Sequence, residues 1–165
     1  MSQSLALADL INSVIQRLQQ IPHSLIALLA RFSIAAVFWK SGQTKVEGFA
    51  IDLVSGTFQI DHPRLADSTI PLFSSEYQLP LVPADIAAYL ATFSEHFFPV
   101  LILLGLATRF SALALLGMTL VIEVFVYPDA YPVHGTWAAI LLLLIARGPG
   151  VLSIDHLLAR RHRLP

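Results

Sequence analysis

A glutamate and a histidine stand side by side in the middle of a long apolar run, ATFSEHFFPVLILLGLATR, which covers residues 91–109. Both Glu95 and His96 can hold or exchange a proton, and Pro99 removes the helical hydrogen bond that would otherwise end on the Glu95 carbonyl. An ionisable group inside a membrane costs at least about 3 kcal/mol, so such groups usually face the interior of a bundle or a wet cavity. This stretch therefore predicts a buried polar site at mid-membrane depth.

Other side chains that can bind a ligand lie in or beside the remaining apolar runs. Arg31 interrupts the first run, Glu123 lies within the third, and His134 and Trp137 stand at the start of the fourth. The complete set of candidate ligand-binding residues is Arg31, Lys40, Glu95, His96, Glu123, Tyr127, His134 and Trp137. Each has a structural alternative: an ion pair, a hydrogen bond to a carbonyl, or an anchor at the membrane interface.

The composition places these residues in a membrane protein. Of the 165 residues, 56% are hydrophobic and 13% are charged, whereas a soluble domain carries about 25% charged residues. The net charge of −1 gives no indication of a nucleic-acid partner. The chain has no cysteine, which excludes disulfides, thiolate metal sites and cysteine redox chemistry within it.

The hydropathy pattern predicts an all-α, integral membrane four-helix bundle that forms a single domain over residues 1–165. Four apolar runs come close to the ~20 residues that a helix needs to cross a bilayer, and they cover residues 24–42, 84–106, 110–128 and 133–147. Amphipathic helices on the membrane surface are expected at residues 1–21 and 151–162, the second one capped by Ser153. The first of them has an alternative role, because the same pattern suits packing on a partner protein.

Residues 43–83 are predicted to form an extracytoplasmic loop without a membrane span. Six acidic residues and one basic residue, Arg64, lie between residues 46 and 85. A loop of this length is usually structured or functional, and residues 74–77 suggest a short helix. Its apolar side chains are expected to contact the membrane or cap the bundle; they are Phe49, Ile51, Leu53, Val54, Phe58 and Ile60.

The distribution of positive charge predicts the orientation. Arg31 lies inside the membrane, six arginines lie on one side of the spans, and three basic residues lie on the other. The first side carries Arg17, Arg109, Arg147, Arg160, Arg161 and Arg163, and the second carries Lys40, Lys45 and Arg64. Cytoplasmic segments are enriched in lysine and arginine, so both termini are expected in the cytoplasm.

Arg31 and Glu95 are predicted to form an ion pair inside the bundle. Arg31 lies 11 residues before Gly42 and Glu95 lies 11 residues after Ala84. At 1.5 Å per residue both would lie roughly 16 Å from the outer ends of their helices. Pairing would remove much of the cost of holding each charge in hydrocarbon.

Three stretches resemble a known family: ARFSIAAVFWKSGQTK at residues 30–45, FFPVLILLGLATR at 97–109 and GPGVLSIDHLL at 148–158. Over residues 28–158 the chain resembles the DoxX-like family of small four-helix bacterial membrane proteins. The resemblance implies a location in the bacterial inner membrane. It also implies a link to redox or sulfur metabolism, because the naming member looks like the membrane subunit of a thiosulfate:quinone oxidoreductase. The family offers no catalytic motif to carry over to particular residues.

Residues and resemblance together lead to a hypothesis of quinone binding in the outer half of the bundle. His96, His134 or Glu95 would hydrogen-bond the ring oxygens, and Trp137 or Phe97 would stack on the ring. No intrinsic cofactor is expected, so electrons would come from a partner redox subunit. Besides the lipid bilayer and this subunit, a second copy of the chain is a possible partner.

Two other classes of function stay open. One is a non-catalytic membrane scaffold whose acidic loop docks an extracytoplasmic partner. The other is a transporter or metal site, since glutamate and histidine can ligate zinc or copper. That site would draw on Glu95, His96, Glu123 and His134, whose spacing matches no standard motif.

Overall fold

The structure, a computed structural model, describes residues 2–52 and 55–161. Within these residues the α-helices are α1 Ser2–Gln19, α2 His23–Gln43, α3 Thr69–Leu72, α4 Ala84–Leu104, α5 Thr108–Val121, α6 Tyr131–Arg147 and α7 Ile154–Arg161. Two π-helical turns cover Phe73–Tyr77 and Ile122–Val126, and a 3-10 turn covers Pro128–Ala130. Three residues to which the sequence analysis assigned loop contacts or positive charge lie outside the described residues; they are Leu53, Val54 and Arg163.

Four helical segments of the described chain are long and apolar enough to cross a membrane. They are His23–Gln43, Ala84–Leu104, Thr108–Val126 and Pro128–Arg147. The prediction of an all-α membrane bundle with four spans is therefore confirmed. The region between residues 43 and 84, which was predicted to lack a span, contributes none of the four.

Local backbone chemistry sets the ends of these helices. Gly105 adopts a left-handed conformation, with φ at 68°, and so ends α4 at Leu104. Residues 129–132, predicted as a loop, are instead helical. Pro128 and Pro132 stand in the first turns of their helices, where the missing N–H has no helical partner to lose.

The core of the bundle is apolar and formed by all four spans. α2 packs on α4 and α6, and α5 packs on α4 and α6. Small residues of α2, Ala27 and Ala35, face inward and permit this close approach. The largest buried apolar side chains of this core are Ile34, Phe38, Ile102, Leu115, Leu141 and Leu144.

A two-stranded antiparallel hairpin, β1 Val46–Asp52 and β2 Thr57–Leu65, follows α2. Its register pairs Val46 with Leu65 and Asp52 with Thr57, with an irregularity next to Gly48. The sequence did not predict this hairpin, because the polar and apolar residues of the segment alternate only in part. We call the end of the bundle that carries it the hairpin end, and the opposite end, beside α7, the α7 end.

Both terminal helices expose apolar residues. α1 leaves Leu10, Ile11 and Leu18 about half exposed, and α7 does the same with Leu157 and Leu158. Such unburied apolar faces are typical of helices that lie in a membrane interface. Ser153 caps α7 as predicted, because its hydroxyl accepts a hydrogen bond from the backbone N–H of His156 at 3.2 Å.

Candidate functional site

A cavity of about 350 Å³ lies in the half of the bundle nearest the hairpin end. α2, α4, α5 and α6 contribute to its wall, together with the Phe73–Tyr77 turn. Most of the lining is apolar, including Val37, Phe38, Phe73, Leu79, Val82, Ala87, Leu90, Ala91, Met118, Val121, Ile122, Val126 and Trp137. The polar and titratable lining residues are Ser41, Lys45, Tyr77, Ser94, Glu95, Tyr127 and His134.

Lys45 and Glu95 form a buried ion pair in this wall. Lys45 Nζ lies 2.7 Å from Glu95 Oε2, and the two side chains are only 6% and 3% exposed. Ser41 donates its hydroxyl hydrogen bond to Glu95 Oε1 at 3.0 Å, and Lys45 Nζ donates to the Ser41 hydroxyl and carbonyl oxygens. Glu95 Oε2 is itself fully buried, and the ammonium at 2.7 Å is its charged neighbour.

The predicted pairing of Arg31 with Glu95 is wrong. Arg31 Nη2 donates a hydrogen bond to the Leu152 carbonyl at 2.6 Å, toward the α7 end. Glu95 is level with Ser41, which lies ten residues beyond Arg31 on α2, or about 15 Å along the axis. The prediction assumed that α2 and α4 end at the same height, but the two helices are staggered. At the hairpin end, α4 projects about nine residues beyond the end of α2, roughly 13 Å.

A second pair, His134 and Glu123, lies on another part of the wall. His134 Nδ1 is 2.6 Å from Glu123 Oε2, and the histidine side chain is 7% exposed while the glutamate side chain is 23% exposed. His134 stands in the first turn of α6, and Glu123 stands in the Ile122–Val126 turn. The Trp137 ring packs 4.9 Å from the His134 ring and 5.5 Å from the Phe38 ring, measured between centroids.

Tyr127 connects the rim of the cavity to the segment after the hairpin. Its hydroxyl donates a short hydrogen bond to Glu76 Oε1, and its ring packs 5.7 Å from Tyr77. The bond to Glu76 raises the pKa of Tyr127 above its usual range, and burial raises the pKa of Tyr77. Both phenols are therefore neutral over the physiological pH range.

His96 does not line the cavity but fastens the hairpin to α4. Its Nε2 lies 2.9 Å from the Gln43 amide nitrogen, and its Nδ1 lies 2.8 Å from the Thr92 carbonyl. An amide nitrogen only donates, so Nε2 accepts and Nδ1 carries the proton. Gln43 Oε1 in turn accepts from the Ile51 N–H at 2.8 Å. Both ring nitrogens are thus occupied, which is the structural alternative anticipated for a lone histidine.

Two more of the sequence candidates lie away from the cavity. Lys40 is 66% exposed on the surface, with its ammonium 3.9 Å from the Asp52 carboxylate. Arg31 is buried near the α7 end. The structure therefore brings Glu95, Tyr127, His134 and Trp137 to the cavity wall, with Glu123 directly behind His134.

Comparison with known proteins places the chain in a family. The DoxX family model matches residues 26–128. The chain belongs to the DoxX family. A Haemophilus influenzae protein described as uncharacterized is 30% identical over 152 residues, which cover 87% of this chain and 90% of that relative. No solved structure matches the chain.

One part of each of the three stretches that suggested the DoxX family lies at the α7 end. Arg31 lies directly over Gly105, where a Cβ atom would collide with Nη1 and approach Ser153. Asp155 accepts hydrogen bonds from the backbone N–H groups of Ala107 and Thr108 at 2.8 and 2.9 Å. It thereby caps α5, and its own N–H donates to the Gly105 carbonyl at 2.8 Å. These contacts give the parts of the three stretches at the α7 end a structural role.

The sequence missed Lys45, Ser41, Glu76 and Tyr77 as parts of the site. Ser41 and Lys45 have the i, i+4 spacing that places two side chains on one helix face. The signal was hidden because the first span was predicted to end at Gly42, which left Lys45 in the loop. Closure of the hairpin base holds Lys45 in place: its carbonyl accepts hydrogen bonds from the Ala66 N–H and the Thr69 hydroxyl.

A metal site finds no support in the residues that the structure describes. Among them, no group of three or more histidine, aspartate or glutamate side chains lies close enough to hold a metal ion. A separate hollow of about 470 Å³ lies against α7, lined by Ile154, Leu157, Leu158, Arg160 and Arg161. All of these belong to one helix, so the hollow is an open surface rather than an enclosed site.

Proposed function

We propose that this DoxX-family protein binds a planar, lipid-soluble ring compound of the quinone class in the cavity and works beside a partner redox subunit. The observation that carries the proposal is a cavity with apolar walls, a buried ionisable pair, Lys45–Glu95, and a partly buried one, His134–Glu123. Sites for small ligands combine apolar walls with a few convergent polar groups. Charged groups within membrane spans also tend to mark ligand or ion pathways.

The position of the cavity suits a ligand that arrives from the bilayer. Leu90 and Val121 line it and are also 58% and 39% exposed. An opening between such residues would admit an isoprenoid tail without passage through water. Trp137 and Phe38 provide aromatic surface for the ring. The volume of about 350 Å³ falls within the range of pockets that hold small ligands.

Tryptophan fluorescence tests the binding proposal. The chain has two tryptophans, and Trp39→Phe leaves Trp137 as the reporter in the cavity wall. Duroquinone, added to this variant in mild detergent, should quench the emission of Trp137 with saturation. Filling the cavity with Ala91→Phe should abolish the saturable part. The matched change Ala139→Phe, on an exposed position of α6, should leave it intact.

The outcome that rejects quinone binding is a linear, unsaturated quenching that is equal in all three proteins, since it would report only partition of duroquinone into micelles. Mass spectrometry of lipids that co-purify with the protein offers an independent measurement. A quinone should be enriched with the native chain and with Ala139→Phe, and depleted with Ala91→Phe.

The finer location is also a proposal: the bacterial inner membrane, with both termini and α7 in the cytoplasm and the hairpin outside. The six arginines on one side of the predicted spans support it, against three basic residues on the other side. A reporter fused after Pro165 should be active only in the cytoplasm, and one inserted near Asp67 only outside. Swapped activities would overturn this orientation.

A scaffold role is the second candidate, and the exposure of β2 favours it. Eight of the nine residues of this strand are exposed. Among the described residues, no strand other than β1 pairs with it. Its outer edge could therefore pair with a strand from another protein. In that case a partner protein should co-purify with the native chain and with Ala91→Phe equally. Loss of the partner after cavity filling would instead link partner and ligand.

A further inference from the structure

The dyad of His134 and Glu123 gives the cavity a defined acceptor atom. An ionised carboxylate can only accept hydrogen bonds, so the proton shared over the 2.6 Å contact belongs to His134 Nδ1. In the neutral imidazole this leaves Nε2 without a proton, with its lone pair available. Among the described residues, Nε2 has no hydrogen-bond partner, although His134 lines the cavity.

The strongest donor of the cavity wall is already occupied. The Lys45 ammonium directs its hydrogens toward the Ser41 carbonyl, the Ser41 hydroxyl and Glu95. The Ser41 hydroxyl donates to Glu95 Oε1, and the Tyr127 hydroxyl donates to Glu76. By contrast, His134 Nε2 is an acceptor that the described residues leave free. Ser94, Tyr77 and Trp137 also line the cavity, and their neutral donors can serve a quinone and a hydroquinone alike.

We propose that the cavity selects the hydroxyl-bearing, reduced form of its ring ligand, a hydroquinone, over the corresponding quinone. A hydroquinone hydroxyl donates to His134 Nε2. A quinone presents two carbonyl oxygens, which cannot donate to that atom. This inference rests on the proposed function, because it names which redox form of that ligand class the site holds.

One hydrogen bond of this kind changes affinity by about tenfold. We therefore expect durohydroquinone to bind at least about tenfold more tightly than duroquinone, because the two molecules share ring and methyl groups. The measurement uses the saturable change of Trp137 emission in the Trp39→Phe protein, under argon. The dimethyl ether of durohydroquinone, which has the same ring and no donor, should bind as weakly as the quinone.

Substitutions assign the selectivity to the dyad. His134→Phe keeps an aromatic ring against Trp137 but removes the acceptor, so the preference for hydroquinone should fall to about onefold. In Glu123→Gln the amide can meet Nδ1 with its oxygen or with its nitrogen, so the proton of His134 is no longer fixed on Nδ1. This variant, which keeps the size of the side chain, should lose part of the preference. Ala139→Phe should retain it in full.

A spectroscopic measurement separates this role from a merely structural one. In protein labelled with ¹⁵N-histidine, the signal absent from His134→Phe identifies His134. Its Nε2 resonance should have the shift of an unprotonated nitrogen and move upfield when durohydroquinone binds, but not when the dimethyl ether is added. An Nε2 that carries the proton in the ligand-free protein would overturn the assignment.

The measurements distinguish a failure of ring binding from a failure of redox selectivity. If neither redox form binds with saturation, the proposed function is rejected. If both forms bind with equal affinity, or duroquinone binds more tightly, the cavity is a quinone-class site but the selectivity inferred from His134 is wrong. These comparisons need only the Trp39→Phe protein, so they hold even if His134→Phe does not fold.

Discussion

The Lys45 ammonium lies 2.7 Å from the Glu95 carboxylate inside the bundle, although the two residues are 50 positions apart in the sequence. Lys45 stands two residues after the end of α2, where the base of the hairpin turns its side chain inward. Glu95 stands in the middle of α4. The hairpin therefore does more than cover the bundle, because its base places the cation that stabilises the buried Glu95 carboxylate.

Removal of Lys45 should destabilise the protein strongly. Lys45→Met leaves the Glu95 carboxylate buried without a cation, and breaking a buried pair in this way costs about 3–5 kcal/mol. Lys45→Met combined with Glu95→Gln should recover much of that loss. Thermal melts in detergent measure both effects. The matched control is Lys40→Met, at an exposed position, which should change stability by less than about 0.5 kcal/mol. Equal losses from the two lysines would contradict a buried pair.

Arg31 and Glu95 should behave as independent sites. Their contacts lie about 15 Å apart along α2, and substitutions at such separations usually add within about 0.5 kcal/mol. The destabilisation of Arg31→Leu with Glu95→Gln should therefore equal the sum of the two single changes. A double-mutant cycle measures the difference, and a coupling free energy above about 1 kcal/mol would restore the ion pair that the sequence suggested.

Gly105 should not tolerate a side chain. Its φ of 68° disfavours any residue with a Cβ, and that atom would collide with Arg31 Nη1 and press against Ser153. We expect Gly105→Ala to lower stability by more than about 2 kcal/mol. The control is Gly117→Ala in the middle of α5, where a Cβ meets nothing within 4 Å. That change should stabilise the helix by up to about 1 kcal/mol. Similar melting shifts for the two variants would contradict the close contact at the α7 end.

Gln43 should control how firmly the hairpin is held. Gln43→Ala removes the acceptor of the Ile51 N–H and the donor to His96 Nε2. Amide hydrogen exchange in β1 should then accelerate while the melting temperature of the bundle changes little, since few apolar contacts are lost. Gln59→Ala, on exposed β2, serves as the control and should leave the exchange of β1 unchanged. If the β1 amides exchange at the same rate in both variants, the Gln43–His96 connection does not hold the hairpin.

Local composition was enough to establish the membrane class and the number of spans. A bilayer of fixed thickness demands about 20 apolar residues per helix, and that demand is met in four places whatever the helices pack against. The same physics predicted that charged residues in the spans would turn inward, and Arg31 and Glu95 are indeed nearly fully buried. Ser153 could also be recognised as a cap, since capping depends on a few neighbouring residues.

The tertiary structure decided which polar groups meet. The stagger of α4 against α2 depends on the packing of the segment between residues 66 and 83, and no local pattern encodes it. Because of this stagger, Glu95 pairs with Lys45, and Arg31 donates its hydrogen bond to the Leu152 carbonyl. The hairpin was equally hidden, and with it the role of Gln43, which contacts both His96 and the Ile51 N–H. Partner choice depends on relative helix height and on chain reversal, and both are properties of the packed bundle rather than of any one stretch.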